Sequence, residues 1–191
     1  MTELIQYASL RPTPWKNGGG STTEMRVSPA GAGFEQFDWR VSLATIAESG
    51  PFSAFPGIDR TLALVDGDGV LLDFGDQRVV LSAAEPVIVF DGEAAVHATI
   101  AGGVTTDFNV MTRRGRCRHK LEVVTLRGTL ELPRRANTTL LFLADGESLT
   151  LDSDAERIAM VRYDLLLLEG DTQWRMDAAQ ATVFVVDLVY N

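Results

Sequence analysis

The sequence predicts an all-β protein built from two β-rich modules, and three observations carry that prediction. Past residue 60, short apolar runs recur with Gly, Pro or Asp turn signals between them. No stretch of about 10–15 residues sustains a 3.6-residue period, so the helical crossovers of a parallel α/β sheet are missing. The 191-residue chain is 46% hydrophobic and 23% charged, ordinary globular usage that excludes disorder and fibre. Strands this short and regular predict an antiparallel sandwich or barrel.

The elements follow in chain order. RPTPWKNGGGST (11–22) holds two prolines and three successive glycines and predicts irregular backbone. Thr22–Val27 then alternates, with Met25 and Val27 on one face and Thr22, Glu24 and Arg26 on the other. In DWRVSLATI (38–46), Trp39, Val41 and Leu43 share one face, and Arg40, Ser42, Ala44 and Ile46 the opposite one. TLALV (61–65) and VLLDF (70–74) flank Asp66-Gly67-Asp68-Gly69, which predicts a tight hairpin. RVVLS, PVIVF and AVHATI bring the first series to residue 100, and TTDFNVM (105–111) places Asp107 and Asn109 opposite Phe108 and Val110.

A second series runs from about residue 121 to the end: LEVVTL, GTLEL, TTLLFLA, RIAMVRY, DLLLLEG, TQWRM and ATVFVVDLV, with one more run at 149–151. The two halves meet near the charged segment 113–120. These boundaries predict an N-terminal module over residues 1–114 and a second, smaller one over 121–191.

Composition narrows the function classes. The 17 basic and 26 acidic residues leave a net charge of −9, a field that repels phosphate backbones, so no nucleic-acid partner is expected. No run approaches about 18 apolar residues and the N-terminus lacks a basic n-region and an apolar h-region, which predicts no membrane partner and a cytoplasmic location. One cysteine, Cys117, allows no internal disulfide. With only His97 and His119, and no H-x-H, H-x₃-H or C-x-x-C spacing, no metal or cofactor is expected; His97 reads as a hydrogen-bonded structural residue.

The polar faces Thr22/Glu24, Arg40/Ser42 and Asp107/Asn109 either line a lumen or form a solvated outer face; alternation leaves both open. If they line a lumen, Arg40 balances Glu24 and Asp107 there. Asn17–Thr22 is not a phosphate loop, because Lys16 precedes the glycines and no helix start follows. A nest of backbone N–H groups for a small carboxylate and a plain surface turn are equally compatible with it. In FSAFPGIDR (52–60), Phe52 and Phe55 anchor a type II turn at Pro56-Gly57, and Arg60 stands at a strand mouth, a place suited to a bidentate carboxylate. Arg113, Arg114, Arg116, Arg118 and Lys120 read first as a solvated connection, with an acidic partner or a lowered Cys117 pKa as alternatives.

WKNGGGSTTE (15–24), WRVS (39–42), FSAFPGIDR (52–60) and DFNVMTRR (107–114) together resemble the HutD/Ves family of small bacterial cupin-like proteins. The resemblance runs in order from Trp15 to Arg114; beyond that it rests on strand spacing. It implies a bicupin of the RmlC-like type, a double-stranded β-helix barrel duplicated, whose first barrel holds a pocket without a metal triad. It also implies a modulator of histidine utilisation that binds urocanate, formylglutamate or formiminoglutamate; the uninterrupted triple glycine resembles HutD more than the stress-associated Ves branch.

The family's motif positions fall on Trp15, Asn17, Gly20, Thr22, Glu24, Arg40, Ser42, Phe55, Arg60, Asp107 and Asn109. The resemblance implies that Arg40 and Arg60 hold a ligand carboxylate with Lys16 and the glycine-loop amides nearby. Glu24 and Asp107 then accept from an imidazole, formimino or amide group. Asn17, Thr22, Ser42 and Asn109 fix orientation, and Trp15 and Phe55 close the mouth. A binding protein without catalytic residues is the first expectation. A metal-independent enzyme using Glu24/Asp107 is the second, and a metal-dependent cupin dioxygenase or isomerase the third. Edge pairing is compatible with a homodimer, and no residue decides it.

Overall fold

The structure, a computed structural model, describes residues 1–191. The backbone is all-β apart from one short 3₁₀ turn, Tyr7–Ser9, and it divides into two compact units. No helix is long and apolar enough to cross a membrane.

Strand β1 (Thr2–Ile5) pairs antiparallel with Leu165–Leu168, so residues 1–9 belong to the C-terminal unit. The expectation grouped them with residues 10–114. Leu4 packs against the core that holds Leu166 and Leu168, and that burial fixes the placement.

The unit of residues 10–117 contains β2 (Thr13–Pro14), β3 (Gly20–Ser28), β4 (Trp39–Ile46), β5 (Gly50–Pro51), β6 (Ile58–Asp66), β7 (Val70–Asp73), β8 (Arg78–Leu81), β9 (Val87–Asp91), β10 (His97–Ile100) and β11 (Thr105–Arg113). One sheet runs β2-β3-β4-β11-β6-β9 and the other β5-β10-β7-β8, every pairing antiparallel. Leu62 of β6 packs with Val70, Leu72, Leu81, Val96 and Ala98, a core that both sheets supply.

The hairpin expected at 61–74 does not form: β6 and β7 lie in different sheets. The glycines carry the chain across instead of folding it back. At Gly69, with φ +97°, a Cβ would lie 2.2 Å from the Leu81 carbonyl oxygen, so only glycine fits this passage. The loop 11–22 is also more ordered than predicted, since Thr13 and Pro14 pair with Thr22 and Ser21, and Gly20 opens β3.

The other unit adds β12 (Cys117–Glu131), β13 (Thr138–Asp145), β14 (Ser148–Asp152), β15 (Arg157–Val161), β16 (Leu165–Glu169) and β17 (Arg175–Tyr190). Its sheet runs β1-β16-β13-β17-β14-β15, with β12 also on β17. Two pairs of predicted runs fuse, LEVVTL with GTLEL and TQWRM with ATVFVVDLV. The β17 strand is long enough to pair with β14 through 175–177 and with β13 through 182–188. Leu141, Leu149, Met160, Met176 and Val185 fill the core.

The segment after β11 is tied down. Arg113 donates to the carbonyls of Phe34 and Phe37, Arg114 pairs with Asp59 and Glu93, and Arg116 pairs with Asp38. His97 is exposed on β10 opposite Asp73, contrary to the structural role expected of it.

Candidate functional site

Register on the six-stranded sheet decides which side chains meet. Met111 of β11 stands between Arg40 of β4 and Arg60 of β6. One step along the same face, Asn109 lies between Ser42 and Leu62, with Glu24 of β3 opposite Ser42. A further step brings Asp107 beside Ala44, with Thr22 on the far side of Ala44. All these side chains except Met111, Ala44 and Leu62 are polar, and together they line a cavity of about 740 Å³. Thr22, Glu24, Arg40, Ser42, Asp107 and Asn109 thus face a lumen, as the barrel alternative predicted.

The two arginines are held differently. Arg40 donates through Nε to Glu24 Oε2 at 2.7 Å and through Nη1 to Ser42 Oγ at 3.4 Å, while its guanidinium carbon lies 5.1 Å from the Phe34 ring centroid. The Arg40 side chain is 10% exposed and that of Glu24 49%, so the pair spans from the interior to solvent. Arg60 has no carboxylate partner. Its guanidinium sits among Phe52, Phe55 and Phe90, 5.6, 5.3 and 5.0 Å from the ring centroids. Its Nη1 reaches the Ser53 carbonyl at 3.4 Å, and its buried Nε meets no acceptor. Burial, with the like charge of Arg40, lowers its pKa to about 10.

Asp107 is fully buried, and neither carboxylate oxygen has a hydrogen-bond partner in the chain. Burial raises its pKa to about 7. The side-chain oxygen of buried Asn109 is likewise unpartnered. Leaving such groups unmatched costs about 1–3 kcal/mol each, so these oxygens are open to a hydrogen-bond donor in the cavity.

Loop 15–20 closes on itself. Trp15 Nε1 donates to Thr22 Oγ1 at 2.8 Å, Gly18 N–H to the Trp15 carbonyl and Gly19 N–H to Asn17 Oδ1. The amides of Gly18 and Gly19 are therefore spent within the loop, which favours the surface-turn alternative over the anion nest at these two positions. Trp15, Lys16 and Asn17 line the cavity; Gly20 does not. Gly20 instead seats the indole, because a Cβ there would meet the Thr45 carbonyl oxygen at 2.3 Å and the Trp15 ring at 2.9 Å.

Phe55 also lines the cavity, and Gly57 takes the positive φ of +75° that a type II turn requires. Phe34, Phe52, Ser53 and Met111 line it too, although the sequence reading did not place them there. Met111 was legible from alternation with Asp107 and Asn109. Phe34 lies in an irregular stretch with no periodic signal. No three His, Cys, Asp or Glu side chains converge in the chain, so the donor set does not fit a metal centre.

The HutD family profile matches residues 7–186. An uncharacterised 21.2 kDa protein in the hutC 3' region of Pseudomonas putida is 35% identical over 98% of this chain and 97% of its own. Protein Ves of Citrobacter koseri is 36% identical over 62% of this chain and 63% of its own. HutD from Pseudomonas fluorescens SBW25 superposes with a TM-score of 0.84 at 27% identity, each chain covered in full at 100%. The cupin fold extends to salicylate 1,2-dioxygenase from Pseudoaminobacter salicylatoxidans, at TM-score 0.64 and 9% identity over 97% of this chain and 81% of that one, a likeness of fold alone. An ordered set of motifs, an antiparallel β architecture and a match over nearly the whole length all agree: the chain belongs to the HutD family.

Proposed function

We propose that this chain is a binding protein for a small carboxylate of histidine degradation, such as urocanate, formylglutamate or formiminoglutamate, and that it modulates histidine utilisation. One observation carries the reading. Within one cavity, two arginines stand beside Met111 while Asp107 and Asn109, on the same strand face, keep buried oxygens without partners. Arg40 and Arg60 take the ligand carboxylate, Asp107 and Asn109 accept from its N–H groups, and Ser42 and Thr22 hold its orientation. Trp15, Lys16, Asn17 and Phe55 complete the enclosure. The relatives lend context: one bears the name HutD and was solved in a formate condition, and another is named for the hutC 3' region.

The same reading takes residues 10–117 as the ligand barrel and the other unit as its smaller duplicate. It places the protein in the cytoplasm. It includes no turnover: Glu24 is ion-paired with Arg40, and burial alone, without Glu24, raises the Asp107 pKa.

Thermal melting with histidine, urocanate, formylglutamate, formiminoglutamate, glutamate and formate tests it, each with and without chelator. A ligand at about a hundred times its dissociation constant adds roughly 2.7 kcal/mol. For a chain this size that raises the midpoint by about 5–10 °C. A selective shift that survives chelator supports the reading; no shift with any compound overturns it.

A further inference from the structure

The charges in the cavity are unevenly spread, and the spread discriminates among carboxylates. At one end, the charge of Arg40 is matched by Glu24, which leaves Arg60 as the buried cation with no carboxylate; Lys16, the other cation without one, is solvent-exposed. At the other end Asp107 lies four residues from Met111 along β11, about 13 Å at the rise of a strand. The titratable side chains lining the cavity are Lys16 from the loop before β3, Glu24 from β3, Arg40 from β4, Arg60 from β6 and Asp107 itself. The neighbouring strands set Ala44 and Leu64 beside Asp107 in register, so neither supplies a cation or a donor there. An ionised Asp107 is an acceptor awaiting a donor. A second carboxylate brought to that end would put two like charges side by side, out of contact with water.

We infer that the cavity takes a monocarboxylate with an N–H group at its far end, disfavours a dicarboxylate, and releases the Asp107 proton to solvent as that N–H docks. The inference rests on the ligand reading above and narrows it. Its physical content is linkage. Burial holds the Asp107 carboxyl near pH 7, so the empty site is partly protonated at neutral pH, and an N–H donor selects the ionised form.

The test is titration calorimetry between pH 6.5 and 8.5, with urocanate as the monocarboxylate bearing a ring N–H and N-formylglutamate as the dicarboxylate. Running each pH in two buffers of different ionisation enthalpy counts the protons exchanged on the unmodified protein. Beyond what the titrating urocanate imidazole contributes, affinity is expected to rise about fourfold across this range, with about three-quarters of a proton released from Asp107 at pH 6.5. N-formylglutamate is expected to bind more weakly and without that gain. In Asp107→Asn, whose melting curve checks that it is folded, the pH dependence and proton release should shrink to what the urocanate imidazole, with an ordinary pKa of about 6.5, contributes alone. Tighter binding of N-formylglutamate with proton uptake overturns the inference while leaving the ligand reading intact. So does an unaltered pH profile in Asp107→Asn. Failure of both compounds to bind at any pH removes the ligand reading and this inference together.

Discussion

Arg60 and Phe90 are register partners on β6 and β9, and the guanidinium carbon of the arginine lies 5.0 Å from the ring centroid of the phenylalanine. Phe90 is absent from the cavity lining, so it acts on a ligand only through Arg60. With Phe52 and Phe55 it holds a desolvated cation in one orientation without neutralising it. Phe90→Leu keeps the site apolar but removes one aromatic face. Carboxylate affinity should fall by about 2- to 30-fold, on a cation–π contribution of about 0.5–2 kcal/mol. Calorimetry with a ligand found by melting checks this, and unchanged affinity would show that Phe90 does not position Arg60.

The ion pair at the cavity opening makes an opposite prediction. Glu24 competes with any bound carboxylate for Arg40. Glu24→Gln should therefore tighten carboxylate binding, because both arginines then lack a neutralising charge. Half of Glu24 is solvent-exposed, so the loss of stability should be about 1 kcal/mol or less. Measuring affinity and melting midpoint on the same variant separates the effects; weaker binding would show that Glu24 orients Arg40 for the ligand.

Asp107 should make the empty protein less stable as pH rises. Its folded pKa of about 7 lies above the ordinary aspartate value of 3.8, so between these values the folded state binds a proton that the unfolded state has lost. Stability is then fully present below about pH 3.8, falls as pH rises toward 7 and is level above it. Asp107→Asn lacks this dependence. The difference between variant and parent should open from near zero at pH 4 to on the order of 4 kcal/mol at pH 8, read by urea denaturation. A constant gap would mean that Asp107 titrates normally.

Gly20→Ala tests the seat of Trp15. A methyl group 2.3 Å from the Thr45 carbonyl and 2.9 Å from the indole cannot be accommodated without moving both. Such overpacking costs about 1–3 kcal/mol, or a fall of roughly 2–12 °C in the melting midpoint. Ligand affinity should drop as well, since Trp15 lines the cavity and bonds to Thr22. A midpoint within a degree of the parent would contradict the geometry.

The strand faces of the site were legible because side-chain alternation survives folding. Arg40, Ser42, Ala44 and Ile46 were placed on one face of β4 from sequence, and all four line the cavity. Alternation could not say which side of a sheet is enclosed; the second sheet decides that, and the motif resemblance pointed the same way. What escaped was non-local. The Asp-Gly-Asp-Gly passage has the composition of a hairpin, but the Leu81 carbonyl packed against Gly69 reveals a crossing between sheets. The Arg60 cage adds Phe90 of β9 to Phe52 and Phe55 of its own motif, and no spacing rule joins Phe90 to that motif. In β12 and β17 the turn-like residues within long strands read as breaks, because a lone Gly128 carries the same local signal as a true end.

Strand β1 has a bearing on how the polypeptide is handled. It covers Leu165–Leu168, a run of four consecutive leucines that would otherwise be a bare sheet margin. An uncovered margin of that composition is a template for association between molecules. Four residues at the start of the chain thus act as a sheath for a sticky segment near its end. During synthesis the sheath is made before the segment it covers and must wait for it. Removing or mispairing those residues is expected to leave the cavity lining of residues 13–111 chemically intact and still to make the protein more prone to aggregate.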